Sequence, residues 1–215
     1  MPDVGFHQYL SWHLLTRAFG IIIPCSYGTQ LRAGISNIEV TAESSEGIMP
    51  ISDFLLPELD HEIKKTRTAL ERVPLGKKDF APHAKSMPLG KLAPHVAQLP
   101  NFGVTVLTTP ELDFSKGSIT PLPFESPAQL VKAFDEGAAK VRAALQATPD
   151  NAWQENWKLS FQGKSIFEGP RFLAYREMFL NHLVHHRAQL GVYLRLNDEP
   201  VPATYGPSAD DRMGF

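Results

Sequence analysis

The segment Asn181-His182-Leu183-Val184-His185-His186-Arg187-Ala188-Gln189 constrains this chain more than any other stretch. Its apolar residues recur with helical period. At about 100° per residue, Phe172, Phe179, Leu183, Leu190 and Leu194 share one inward face. His186 falls close to the centre of that face, His182 near its edge and His185 well off it. Imidazoles at i and i+4 sit one above the other, with Cβ atoms roughly 6 Å apart. Both can therefore reach one tetrahedral ion at about 2.1 Å each. A divalent metal suits the pair, and hydrogen bonds to backbone carbonyls or water are the alternative. The zinc-protease pattern HExxH places a Glu after the first His, and here that position is Leu183, so the protease reading fails. A third ligand from another helix decides between metal and hydrogen bonds.

The rest of the chain sets the frame. It has 215 residues, 43% of them hydrophobic, enough for one sizeable core. A net charge of -2 exerts no global pull toward nucleic acid or anionic membranes, and no basic stripe or recognition-helix pattern is present. Cys25 is the single cysteine, which excludes an intramolecular disulfide and fits a reducing cytoplasm. No apolar run reaches the roughly 20 residues of a membrane span.

Residues 1–48 have poor helical periodicity and read as a poorly structured extension, with one short helix around Tyr9 to Ile22. The apolar run Phe19 to Cys25 is short and lacks a small-residue cleavage site after it, against a secretory signal. Met49, which leads straight into a helix, reads as an alternative natural start. Residues 49–211 form the folded unit and 212–215 a tail.

Four amphipathic helices are expected within 49–211. The first has Ser52 as N-cap, Asp53 at the positive end of the helix dipole, and an inner face of Leu56, Leu59, Ile63, Thr66 and Leu70. Pro74 and Gly76 stop it. The second begins near Ser86-Met87-Pro88 and faces inward through Leu92, His95, Leu99, Phe102 and Val106. Pro94 and Pro100 predict a kink or a break in it. The third opens on Ser126-Pro127-Ala128-Gln129, a capping box with proline at the first helical position. The fourth spans about Pro170 to Leu196. Between the second and third runs a long crossover, about Thr109 to Glu125. Trp157 to Phe167 alternates around Gly163 as a short hairpin-like segment before the fourth helix. Residues from Val201 to Ser208 read as an extended strap.

His95 is the candidate third ligand, because it lies inward between Leu92 and Leu99. Three histidines leave a tetrahedral ion one position for water, the pattern of catalytic rather than closed structural zinc. Glu58-Leu59-Asp60-His61 is an ExxH, but di-iron bundles need two such motifs and two further glutamates. His61 points to solvent, His83 sits in a loop, and His7 and His13 lie in the extension. His185 packs at the bundle edge or bonds a neighbour.

Three blocks in order then carry a family resemblance: Lys85 to Pro100 with His95 inside it, Asn181 to Leu190 with His182 and His186, and Tyr205-Gly206-Pro207-Ser208-Ala209-Asp210. Over about Met49 to Asp211 the chain resembles the DinB-like (DinB/YfiT) putative metalloenzyme superfamily. The resemblance implies an all-α four-helix bundle with a long connection between helices 2 and 3. It also implies a zinc or nickel ion on His95, His182 and His186, the same three residues. Characterised relatives include transferases and isomerases that use low-molecular-weight thiols, a few hydrolases, and frequent dimers. Pro94, immediately before His95, departs from the family's pattern.

The expected function is therefore metal-dependent transfer of a low-molecular-weight thiol to small electrophiles, in a cytoplasmic homodimer. A metal-dependent hydrolase and a non-enzymatic metal-binding stress or interaction protein are the alternatives. A small molecule is the expected partner, with neither nucleic acid nor membrane involved. No general base stands out. Tyr175, Gln189 and Tyr193 lie near the histidine face and are candidates to orient a substrate, as is Arg176. Arg187 is expected as a solvated or ion-paired surface residue rather than an anion contact at the pocket mouth.

Overall fold

The computed structural model describes residues 49–117 and 120–212, all within one compact unit, Gly47–Phe215. The expected extension over 1–48, with Cys25, His7 and His13, lies outside the described residues, as does most of the tail. Helix α1 spans Ile51–Glu71, α2 Leu89–Thr108 and α3 Pro127–Ala147. A composite fourth helix follows: α4 Arg171–Ala174, a π-helical segment Tyr175–Leu180, and α5 Asn181–Leu196. Backbone angles at both junctions are right-handed helical, so the chain runs through without a break.

The helix faces follow from their sequences. In α1, Leu59, Thr66 and Leu70 are buried, and Leu56 and Ile63 pack against the core. Ser52 is not its N-cap. Pro50 takes that position, Ser52 is buried inside the helix, and Asp150 Oδ1 accepts from the Ile51 backbone N–H at 3.0 Å. A carboxylate from a distant loop thus replaces the expected local cap. In α3, Ser126 Oγ accepts from Gln129 N–H at 3.1 Å, and Gln129 Oε1 accepts from Glu125 N–H at 2.9 Å. The reciprocal cap is present, displaced by one residue from the usual return bond.

Helix α2 runs without a break across Pro94 and Pro100, so of the expected kink or break the break does not occur. Both prolines are buried, so packing from neighbouring helices offsets the hydrogen bonds they cannot donate. Gly103 explains how closely α2 sits. A Cβ there would meet Phe179 and Val141 at 2.8 Å, so only glycine admits this approach to α3 and the π segment. The buried Arg171 then finishes the end of α2, donating to the carbonyls of Val106 at 2.6 Å and Thr109 at 2.7 Å.

The molecule is not all-α. Strands β1 Glu111–Asp113, β2 Asn156–Phe161 and β3 Lys164–Pro170 form one sheet in the order β1-β2-β3. The expected hairpin is the antiparallel pair β2–β3, turning at Gln162 and Gly163, both with positive φ. The unexpected member is β1, drawn from the crossover and parallel to β2. A three-residue strand has no periodicity to detect; it exists because β2 offers a free edge beside the end of α2. Trp157 of β2 is fully buried, so the sheet closes one end of the core.

Candidate metal centre

The π segment decides which face of the fourth helix points inward. A π turn takes more residues than an α turn, so it rotates everything on one side relative to the other. The inward face consequently changes register. Phe172, expected inside, is 39% exposed, while Arg171, Ala174 and Tyr175 are buried. From the end of the π segment onward the expected face holds: Phe179 within it and Leu183, Leu190 and Leu194 beyond it are all buried. His182 and His186 flank that face and are partly buried.

His95, His182 and His186 converge, each offering one ring nitrogen within 4.8 Å of the others. Nε2 of His95 lies 3.4 Å from Nε2 of His182. Two ligands at about 2.1 Å from one tetrahedral ion would be separated by about 3.4 Å, so this pair already has the spacing of a metal pair. The ring centroids of His95 and His186 are 4.5 Å apart, and those of His182 and His186 4.6 Å. Pro94 does not spoil the presentation of His95, since α2 is continuous through it.

Two rings are also held at their far nitrogens. His182 Nδ1 lies 3.2 Å from the carbonyl of Met178, and His186 Nδ1 lies 2.7 Å from Oε1 of Gln189. A carbonyl can only accept, so each Nδ1 carries the proton and each Nε2 keeps a lone pair. Burial pushes His95 down to about 4, with the charges of His186 and His182 adding to it. Burial pushes His186 down to about 4 as well, against the opposing bond from Gln189, and it lowers His182. Neutral imidazoles are the form a divalent ion requires, and His182 and His186 keep a free Nε2 lone pair, so the donor set fits one. Among the described residues no carboxylate or thiol joins the group.

The other expected residues stand elsewhere. Tyr175 is fully buried, edge-on to Trp153 and Phe179, and cannot touch a solvent-borne substrate. Burial drives its hydroxyl far above the ordinary range, and that hydroxyl has no hydrogen-bond partner. Tyr193 donates to the Met87 carbonyl at 2.7 Å and fastens the loop before α2. Arg176 pairs with Glu58. Gln189 Oε1 bonds the His186 ring rather than standing free. His61 and His83 are exposed, as expected, and His185 is exposed with its ring 4.8 Å from that of His186.

Arg187 is ion-paired, as expected, but the pair is buried rather than at the surface. It is 3% exposed and pairs with Glu62, itself 4% exposed. It also donates to the Tyr205 hydroxyl at 3.0 Å, tying the C-terminal strap to α5. Burial would raise the Glu62 carboxyl, but the hydrogen bond and charge of Arg187 hold it below its usual range. Glu62 lies on α1 one turn before Thr66, which also meets Arg187 at 3.4 Å. Sequence spacing could have shown this polar pair on the α1 inner face, between Leu59 and Thr66, but not its partner across the bundle.

No protein-family model matches this chain, and no curated protein matches it. Solved structures do. It is similar to a DinB-like protein from Bacillus cereus ATCC 10987, at 19% identity and a TM-score of 0.53, over 73% of this chain and 98% of that one. It is likewise similar to a DinB-like protein from Bacillus subtilis, at 17% identity and a TM-score of 0.52, over 74% of this chain and 99% of that one. The fold is DinB-like. None of the described helices is long and apolar enough to cross a membrane.

Proposed function

Starting from the DinB-like fold, we propose a metal-dependent transferase that brings a low-molecular-weight thiol to a small electrophile, with His95, His182 and His186 holding a zinc or nickel ion. The observation that carries this reading is the convergence of three neutral imidazoles, two of them 3.4 Å apart at Nε2. Three protein ligands leave a tetrahedral ion one exchangeable position. An ion bound there would lower the pKa of a thiol or water beside it.

The chain's own residues do the remaining work. Burial keeps the three rings uncharged. The Met178 carbonyl and the Gln189 side chain hold two of them in orientation. The reacting thiol is the low-molecular-weight thiol brought from solution. In the transfer the thiol gives its proton to solvent water, its sulfur bonds to the electrophilic carbon, and the leaving group departs with the bonding pair.

The test is elemental analysis of tag-free protein, wild type beside His186→Ala, followed by thiol-consumption assays with small electrophiles. About one zinc or nickel per chain, lost in the variant, with metal-dependent thiol consumption, supports the proposal. Metal-dependent hydrolysis without thiol consumption would replace transferase by hydrolase. Absence of metal after zinc is offered at neutral pH would sink the enzyme reading altogether.

A further inference from the structure

The three candidate ligands are not oriented in the same way. His182 Nδ1–H meets a main-chain carbonyl, that of Met178, at 3.2 Å. His186 Nδ1–H meets a side chain, Gln189 Oε1, at the shorter 2.7 Å. His95 has no Nδ1 partner among the described residues. Gln189 is therefore the one described side chain that fixes the tautomer of a ligand ring. It lies three residues after His186, so the helix itself brings its amide alongside the imidazole. It is exposed at the surface, yet its carbonyl oxygen is committed to the ring.

We propose that Gln189 is a positioning residue of the metal centre: by accepting the Nδ1 proton of His186 it reserves Nε2 for the ion. This rests on the metal reading above. A ring without that acceptor is free to place its proton on Nε2 and to turn about its own axis, and both remove the donor atom from the site. Partners of this kind around metal-bound histidines typically change affinity by about tenfold to a hundredfold.

The experiment compares wild type, Gln189→Leu and Gln189→Glu. Two-bond nitrogen–proton correlations on metal-free, histidine-labelled protein read the tautomers, and competition with a chelator reads zinc affinity. In wild type, His186 and His182 both carry the proton on Nδ1. Gln189→Leu shifts His186 toward the Nε2-protonated form, leaves His182 unchanged, and weakens zinc binding about tenfold to a hundredfold. Gln189→Glu keeps an acceptor at the same place, so it restores both the tautomer and the affinity. The unchanged His182 separates this from general unfolding. If wild type binds zinc and Gln189→Leu binds it equally well, the proposal fails and the metal reading stands. If wild type binds no zinc, the metal reading itself fails.

Discussion

Nε2 of His95 on α2 faces Nε2 of His182 on α5 across 3.4 Å. Because His182 Nδ1–H donates to the Met178 carbonyl, its Nε2 accepts, and in the metal-free chain His95 Nε2–H donates to it. An ion between them must take the place of that shared proton. His95→Ala removes the one ligand contributed by α2 and leaves two on a single helix. Zinc content is expected to fall from about one per chain to near zero, while exposed His61→Ala retains the metal. Elemental analysis after gel filtration reads both; full zinc in His95→Ala would remove His95 from the site.

The pH dependence follows from the lowered histidines. His95 and His186 titrate at about 4 in the native chain but near 6.5 when unfolded. Between those values the unfolded state binds more protons, so stability rises with pH. The metal-free protein therefore keeps this contribution above about pH 6.5 and loses it as pH falls through about 4. Urea midpoints at pH 7 and pH 5 should differ in that sense, and a higher midpoint at pH 5 would contradict the burial of neutral rings. Protons compete with zinc only over the same acidic range, so zinc should stay bound at pH 6.

Arg187 and Glu62 make a buried ion pair. Arg187→Met leaves the buried Glu62 carboxylate with only the partly exposed Lys65, 3.4 Å away, as counter-charge, at a cost of up to about 3–5 kcal/mol. Arg187→Met with Glu62→Leu removes both charges and should recover most of that loss. Denaturant unfolding of the two single variants and the double variant measures the coupling. Additive losses would mean the pair is not coupled.

Gly103→Ala tests the close approach of α2. The added methyl meets Phe179 and Val141 at 2.8 Å unless they shift. Overpacking of this kind costs about 1–3 kcal/mol, although alanine is the better helix former. A thermal midpoint equal to or above that of wild type would show that the interface relaxes freely.

Much of this fold could be read before any coordinates. The 3.6-residue recurrence of Leu59, Thr66 and Leu70, the cap at Ser126 and the turn at Gly163 all act through neighbours in the chain, and local sequence records such forces. His95 was legible for the same reason, lying between Leu92 and Leu99 on one face. The resemblance of three short blocks pointed to the DinB-like fold, although overall identity to the solved relatives is below 20%.

The amino-acid sequence by itself determined the helices, the hairpin and three histidines able to face one point, because periodicity and spacing are properties of the local chain. Tertiary structure alone decided the π segment that turns Phe172 outward, the third strand taken from the crossover, and the burial of Arg187 against Glu62. It also decided that Tyr175 is buried, that Tyr193 donates to the Met87 carbonyl and that Gln189 bonds the His186 ring. Each of these depends on what another element presents across the core, and a charge or hydroxyl in the sequence does not reveal whether its partner will be water or a residue far along the chain.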